Sequence, residues 1–391
     1  MSKAKKLSVI ESYLDETHHA LRESVARFVS QEITPFIDEW EEQGEFPREL
    51  YKKAGDAGFL GLGFDEAFGG TPGDIFHKLV FSEEIMRSTS GGLVASLGSL
   101  DIAIPPISKW GSKALKEKVL PAIISGEKIA ALAITEPSGG SDVANLKTRA
   151  EKVTVDGKEY YKVNGSKTFI TSGIRADFYT VAVRTGGEGF GGISLLMIEK
   201  GTPGFTSGKS LKKMCWWASD TAELFFDDCL VPVENLIGVE NTGFFAIMAN
   251  FQSERLMLTS MANMTSELAL NEAIKYAKER QAFGRSIAKY QVVKHKLVEM
   301  ATRLEISRTM MYSVAANMNA GVDQIKEVSM AKNFSTDTSD FITYEAVQIF
   351  GGHGLMRENV VERLYRDNRI LSIGGGTREI MNEIVAKQMG L

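Results

Sequence analysis

The chain has 391 residues, 43% of them hydrophobic and 24% charged, and a net charge of −5. That length serves two or three packed units around a large buried core, and the acidic balance without any basic block argues against a nucleic-acid partner. Cys215 and Cys229 are too few for a disulfide framework, the five histidines form no tight metal-ligand motif, and no apolar run reaches the roughly 18 residues of a membrane span.

The start, MSKAKKLSVIESYLDE, lacks an apolar stretch of signal-peptide length, so the expected location is cytoplasmic. Residues up to about 128 read as helical: Leu21, Val25 and Phe28 share one helix face, and Pro35 and Pro47 punctuate the run. GFLGLGFDEAFGGTPGD is a Gly-rich loop, and His77 and Arg87 are expected on helix surfaces. From about 129 to 236 the texture changes to short runs rich in Val, Ile, Thr, Tyr and Phe, split by Asp-Gly, Asn-Gly and Gly-Gly turns. Such runs form hairpins of an antiparallel sheet or barrel. From 237 to 391 the helical period returns, with Gly284, Gly321 and Gly351 as stops, and predicts an antiparallel four-helix bundle. The segment ENVVERLYRDNRILS supplies its last long helix.

Several motifs carry polar groups where a ligand can use them. Gly187-x-Gly189-x-x-Gly192 matches a dinucleotide fingerprint by pattern, but a strand follows it rather than a phosphate-capping helix, so it reads as a hairpin loop. Thr135, Glu136, Ser141 and Asp142 surround Gly139 and Gly140 directly after an apolar strand that includes Leu132. Such a loop offers backbone N–H groups and hydroxyls at a strand end. Lys167 to Gly173, KTFITSG, places Phe169 and Thr171 on the next strand. Arg280 is suited to a bidentate grip on phosphate; by composition alone it is a helix-end charge favoured by the dipole. Gly351 and Gly352, after Gln348, let backbone approach a ligand closely.

In this order, the segments resemble those of the acyl-CoA dehydrogenase family over about residues 14–391. The resemblance implies an α+β fold with an N-terminal helical domain over 1–128, a middle antiparallel β domain over 129–236 and a C-terminal four-helix bundle over 237–391. It also implies FAD. Leu132, Thr135 and Ser141 would meet the flavin, Ser141 the substrate too, while Phe169 packs on the ring and Thr171 reaches its reactive nitrogen. Arg280, Gln281, Phe283 and Gln291 match the segment that holds the pyrophosphate and adenine of a neighbouring subunit's cofactor. Gln348, Gly351 and Gly352 match the segment contributing across that interface, and Thr377 and Glu379 lie on the cofactor side. Lys213 to Leu224 resembles a further strand pair, with Cys215 at the usual Gly; Trp216 and Trp217 should then face opposite sides of a strand.

The implied reaction is α,β-dehydrogenation of an acyl thioester, which needs a base for the α proton and donors for the carbonyl oxygen. The family usually carries the base in a Tyr-Glu-Gly-Thr turn; here the turn reads Gly374-Gly375-Gly376-Thr377. Gly375 keeps its N–H, the expected thioester-oxygen donor, and has no side chain to act as base. Glu254, in Phe251-Gln252-Ser253-Glu254-Arg255-Leu256, resembles the base of the isovaleryl- and long-chain-type branches, where the Glu sits on this helix and the C-terminal position is Gly or Ala. The alternative is a solvated carboxylate paired with Arg255 or a neighbour one turn away. Glu136, Glu345 and Glu379 are rival bases. Gln252 is expected on the pantetheine arm and Arg255 at the substrate. Met257, Met261 and Met264 either line an adaptable acyl pocket or form plain bundle core.

The resemblance therefore implies an FAD-dependent acyl-CoA dehydrogenase of the long-chain or branched-chain type. It implies a homotetramer, a dimer of dimers, that passes electrons to an electron-transfer flavoprotein. Two alternatives stay open: a flavin oxidase-type relative acting on a non-CoA substrate, and a catalytically silent flavin-binding member whose Gly-rich turn marks a dead site.

Overall fold

The structure, a computed structural model, describes residues 9–391. Eight helices open it: α1 (Glu16–Phe28), α2 (Ile37–Gln43), α3 (Glu49–Asp56), α4 (Ile75–Met86), α5 (Gly91–Leu97), α6 (Leu100–Ala103), α7 (Pro105–Trp110) and α8 (Lys113–Ile124). Local sequence sets their starts. Asp15 caps α1 and Asp74 caps α4, each accepting N–H groups of its first turn. The two caps interlock: His18 Nε2 lies 3.0 Å from Asp74 Oδ1, and His77 Nε2 lies 3.1 Å from the Thr17 hydroxyl. Each ring's Nδ1 accepts the N–H of its own cap residue. The compact group His18, Asp74, His77 is thus a joint between two helices, its ring nitrogens already engaged.

The middle region holds β1 (Ala130–Ala133), β2 (Arg149–Val155), β3 (Lys158–Thr171), β4 (Phe178–Arg184), β5 (Ile193–Glu199), β6 (Phe205–Ser207), β7 (Thr221–Pro232) and β8 (Leu236–Ile237). They form one sheet in the order β6-β7-β3-β2-β4-β5-β8, with β1 beside β4. The sheet is mixed rather than wholly antiparallel, because β1 runs parallel to β4 and Arg149 of β2 bridges Arg184 of β4 in parallel. A long connection through the Thr135 loop, rather than a tight hairpin, follows β1, and this permits the parallel pairing. Trp216 and Trp217 are not on a strand. They sit in a loop before β7, where Trp216 takes φ +56°, so strand alternation does not govern them.

The last third contains α9 (Gly243–Glu279), the hairpin β9 (Gln281–Ala282) and β10 (Arg285–Ser286), α10 (Gln291–Asn319), α11 (Ile325–Phe350), α12 (Val360–Asn368) and α13 (Arg378–Gln388). Three long helices, α9 to α11, pack together. The fourth long helix expected from the period is shorter: α12 has 9 residues and tightens into a 3-10 turn at Arg369–Ser372. Both α12 and α13 lie against α11. Met261 and Met264 are buried in the core, and half-buried Met257 packs on a second cluster with Leu256, Met311 and Tyr312.

One buried junction ties the three parts. Asp367 on α12 accepts the N–H of Gly91 at 3.0 Å and of Trp216 at 2.7 Å. Its neighbour Arg366 stacks over Trp217 at 3.6 Å and pairs with Glu41 of α2 at 3.4 Å. Burial, then the nearby Glu41 charge, raise the Asp367 carboxyl to about 7. Among the described residues no single helix is long and apolar enough to cross a membrane.

Candidate active site

Glu254 lies in the fourth turn of α9, half-buried, with Oε2 shut off from solvent and without a hydrogen-bond partner. No ion pair forms between it and Arg255 or any other described residue. Burial raises its carboxyl to about 7, against the smaller lowering pull of Arg255 and Lys332.

The carboxylate faces the Gly374–Gly376 turn. A methyl group on Gly375 would lie 3.5 Å from Glu254 Oε1 and 2.6 Å from Leu258 Cδ1. The space that a side chain at 375 would use is thus taken by the helix α9 side chains. Gly375 and Gly376 have φ of +65° and +100°, a region that glycine enters without steric cost. Arg255 Nε donates to the Gly375 carbonyl at 3.3 Å, and Lys332 Nζ of α11 to the Gly376 carbonyl at 2.7 Å. Arg255, expected at the substrate, is instead buried beneath the turn at 4% exposure, with Phe251 against its guanidinium. Gln252 is half-buried on the same turn of α9. The Gly375 N–H has no partner among the described residues and is free to donate to a ligand.

The three rival carboxylates are differently held. Glu136 accepts from Lys147 N at 2.6 Å, Thr148 N at 2.9 Å and Lys167 Nζ at 2.8 Å. Burial alone would raise its pKa, but the Lys167 charge and these bonds win and lower it. Glu345 pairs with Lys296. Glu379 is exposed in the first turn of α13, and its own backbone N–H and the Thr377 hydroxyl lower its pKa. Among the four, Glu254 alone combines a raised pKa with an unpartnered oxygen.

The Glu136–Lys167 pair builds the loop that follows β1. It clamps residues 136–148 shut while Thr168 N bonds the Thr135 carbonyl at 2.9 Å, fixing the loop on β3. Next in β3, the register against β7 shifts between Lys167 and Ile170. Phe169 sits in that bulge with φ +58° and is 69% exposed. A non-glycine residue there costs about 1–2 kcal/mol, and the bulge turns the ring outward. Thr135 and Thr171 are half-buried, Ser141 exposed, and their hydroxyls carry no hydrogen bond to described residues. Leu132 is half-buried on β1. An outward aromatic ring flanked by unpaired hydroxyls fits a flat, polar-edged ring ligand such as a flavin. Helix α6 ties this face to the base: Ser99 donates to Ala130 O at 2.9 Å, and Asn250 of α9 donates to Ile102 O at 2.8 Å, one turn before Glu254.

Lys167 is fully buried, so Lys167→Met should break a buried pair and lower stability by about 3 kcal/mol. Equilibrium denaturant unfolding checks this; an unchanged midpoint would mean the two backbone donors suffice for Glu136.

The other expected residues form a second group. Arg280 ends α9, Phe283 (φ +50°) and Gly284 (φ +79°) turn the β9–β10 hairpin, and Gln291 opens α10. Phe283 is 96% exposed. Gln348, Gly351 and Gly352 close α11, where a methyl on either glycine meets nothing. Tyr276 stacks on Phe350 with ring centroids 4.2 Å apart, which brings both segments to one end of the bundle. That end is roughly 39 Å from Glu254 along α9, at 1.5 Å per residue. Thr377, the N-cap of α13, stays with the first group, its hydroxyl accepting from Ile380 N at 3.4 Å.

Sequence reasoning missed Lys332. The signal was there: it lies on the apolar stripe of α11 with Val328, Ala331 and Ser335, where a lysine needs a buried partner. It also missed Lys167 as the loop's anchor, although strand alternation sets it on the face of buried Tyr161 and Val163.

Three family models cover the chain in order: acyl-CoA dehydrogenase N-terminal domain (residues 15–127), middle domain (131–229) and C-terminal domain (241–390). The chain is 38% identical over 391 residues to the mitochondrial long-chain specific acyl-CoA dehydrogenase of Rattus norvegicus, covering 99% of this chain and 90% of that one. The crystal structure of a probable acyl-CoA dehydrogenase from Mycobacterium abscessus is 48% identical, with TM-score 0.94, covering 97% of this chain and all of that one. PigA, solved with FAD and proline, is 30% identical with TM-score 0.91, covering 97% of this chain and 98% of PigA.

Proposed function

The chain belongs to the acyl-CoA dehydrogenase family and is an FAD-dependent oxidoreductase, and from that premise we propose that it dehydrogenates a long-chain or methyl-branched acyl-CoA to the trans-2-enoyl-CoA, with Glu254 as the base. The observation that carries this reading is the 3.5 Å between Glu254 Oε1 and the position a Cβ at Gly375 would take. A carboxylate on α9 stands where a side chain of the turn would otherwise reach.

FAD, when bound, supplies the acceptor for the β hydride. The chain does the rest. Glu254, with Oε2 shut off from solvent and unpartnered, takes the α proton. The Gly375 N–H donates to the thioester oxygen as negative charge develops there. Thr135, Ser141, Phe169, Thr171, Leu132 and Thr377 would hold the ring side of the cofactor, and Ser141 and Gln252 would meet the CoA arm. Glu379, exposed and ionised, stands at the cofactor side rather than at the reacting carbon.

The second group, with Arg280, Gln281, Phe283, Gln291, Gln348, Gly351 and Gly352, lies too far along α9 to share a flavin ring with Glu254 of the same chain. This supports an assembled site, in which the distal group serves a neighbouring copy's cofactor, within a homotetramer that hands electrons to an electron-transfer flavoprotein. Light scattering should give a tetramer that keeps FAD; a monomer that keeps FAD would sink the assembled site.

The substrate is tested by anaerobic titration with octanoyl-, palmitoyl-, isovaleryl- and citronellyl-CoA, following flavin absorbance. Bleaching by palmitoyl- or citronellyl-CoA ahead of octanoyl-CoA is the expected ranking. A flavin that no acyl-CoA bleaches would favour the silent member. Bleaching by a non-CoA substrate alone, with rapid reoxidation by oxygen, would favour the oxidase-type relative.

A further inference from the structure

Three consecutive glycines are the least rigid backbone a protein can use, since each is free in φ and ψ. A donor that stabilises developing charge must nevertheless be held in place before the reaction. Something outside the turn has to hold Gly375. The structure offers two side chains for this, and both are buried cations. Arg255 Nε bonds the Gly375 carbonyl at 3.3 Å and Lys332 Nζ bonds the Gly376 carbonyl at 2.7 Å. Lys332 is 0% exposed, and burying an ammonium there is costly unless it serves a purpose.

Resting on the Glu254 reading, we propose that Lys332 is a positioning residue of this site: it anchors the Gly374–Gly376 turn so that the Gly375 amide stays aimed at the acyl oxygen, and its tether keeps a positive charge beside Glu254 without pairing to it.

The second half follows from what the cations do not touch. Neither Arg255 nor Lys332 forms an ion pair with Glu254, although both lie close enough to act on its charge. An ammonium bonded to the carboxylate would stabilise the ionised form strongly and weaken it as a base. Held on the turn's carbonyls, the cations act through space and leave an oxygen lone pair open to the α proton. The charged groups facing the pair are Arg255 on α9, Lys332 on α11 and Arg378 on α13, which acts on Lys332. Arg378 is itself paired with Asp337 and Asp340. Burial lowers Lys332 to about 8, partly offset by Glu254, so it is charged where Glu254 titrates.

The test uses the FAD-loaded enzyme and an acyl-CoA with sulfur at the β position. Such a ligand can lose its α proton but has no β hydride to give. Its deprotonation is read as a long-wavelength absorbance band against pH. In Lys332→Met the midpoint should rise by about one pH unit, because a cation that favours the ionised base is gone. Turnover of a true substrate should fall roughly 10–100-fold, with KM changed much less. Lys332→Arg should keep the midpoint near wild type. If Met fails to fold, Lys332→Gln keeps a donor for the Gly376 carbonyl and removes the charge, and the same rise is expected. An unmoved midpoint in a folded, FAD-loaded Met or Gln variant overturns the proposal. Loss of the band in wild type, or its persistence in Glu254→Gln, overturns the base reading instead.

Discussion

Glu254→Gln is expected to bind acyl-CoA and stay yellow. The amide has the shape of the acid but cannot take the α proton, so flavin bleaching should slow by roughly 10²–10⁴-fold, the usual worth of a positioned base. Binding should survive, because Oε2 has no partner to lose and no ion pair is broken. The pH dependence follows from the same burial. With Glu254 raised to about 7, kcat/KM should rise as pH passes upward through about 7, where the base becomes ionised. The sign reverses for stability. Between the ordinary 4.5 and about 7 the folded chain holds a proton that the unfolded chain has released. Wild type should therefore lose stability relative to Glu254→Gln as pH rises across that window. Stopped-flow bleaching and denaturant curves at pH 5 and pH 8 check both. A variant that bleaches as fast as wild type would remove Glu254 from the mechanism.

The residue types at positions 254 and 375 were legible because type is what a sequence records. That the Glu254 carboxylate lies 3.5 Å from the position a Cβ at Gly375 would take is a distance, and only packing supplies it. The long helices were legible for a similar reason: α9, α10 and α11 carry a sustained period. The shortness of α12 was not, since Arg366 and Asp367 are helix-compatible residues whose role is to bind Trp216, Trp217 and Gly91 across three parts of the chain. The same junction explains the tryptophans. Gly91 and Gly92 leave the room that Trp216 fills, where a methyl on Gly91 would come within 2.4 Å of its indole nitrogen. A pairing between residues more than a hundred positions apart leaves no local pattern. Phe169 shows a third kind of limit. Its type marked it as a ring-packing residue, but the bulge and positive φ that turn it outward come from how β3 meets β7.

Gly375 is the other position where one substitution should have a large effect. In Gly375→Ala the new residue must hold φ +65°, at a cost of about 1–2 kcal/mol, and its methyl would press on Leu258 Cδ1 from 2.6 Å. Leu258 Cδ1 is a side-chain end and can yield, so the fold should survive. The N–H donor, however, shifts with the turn, and turnover should fall roughly 10²–10³-fold with FAD retained, the range seen when such a donor is lost. Gly375→Glu should be worse. It sets a second carboxylate against Glu254 in a dry pocket, where like charges drive at least one of the two further up in pKa and keep it protonated near neutrality. Glu254→Gly placed on top of Gly375→Glu removes that repulsion and reopens the space that α9 had filled. The double variant should therefore outperform both single variants, a coupling that independent sites would not give. Equal activity in the double variant and in Gly375→Glu would mean that the two positions do not serve one carboxylate slot.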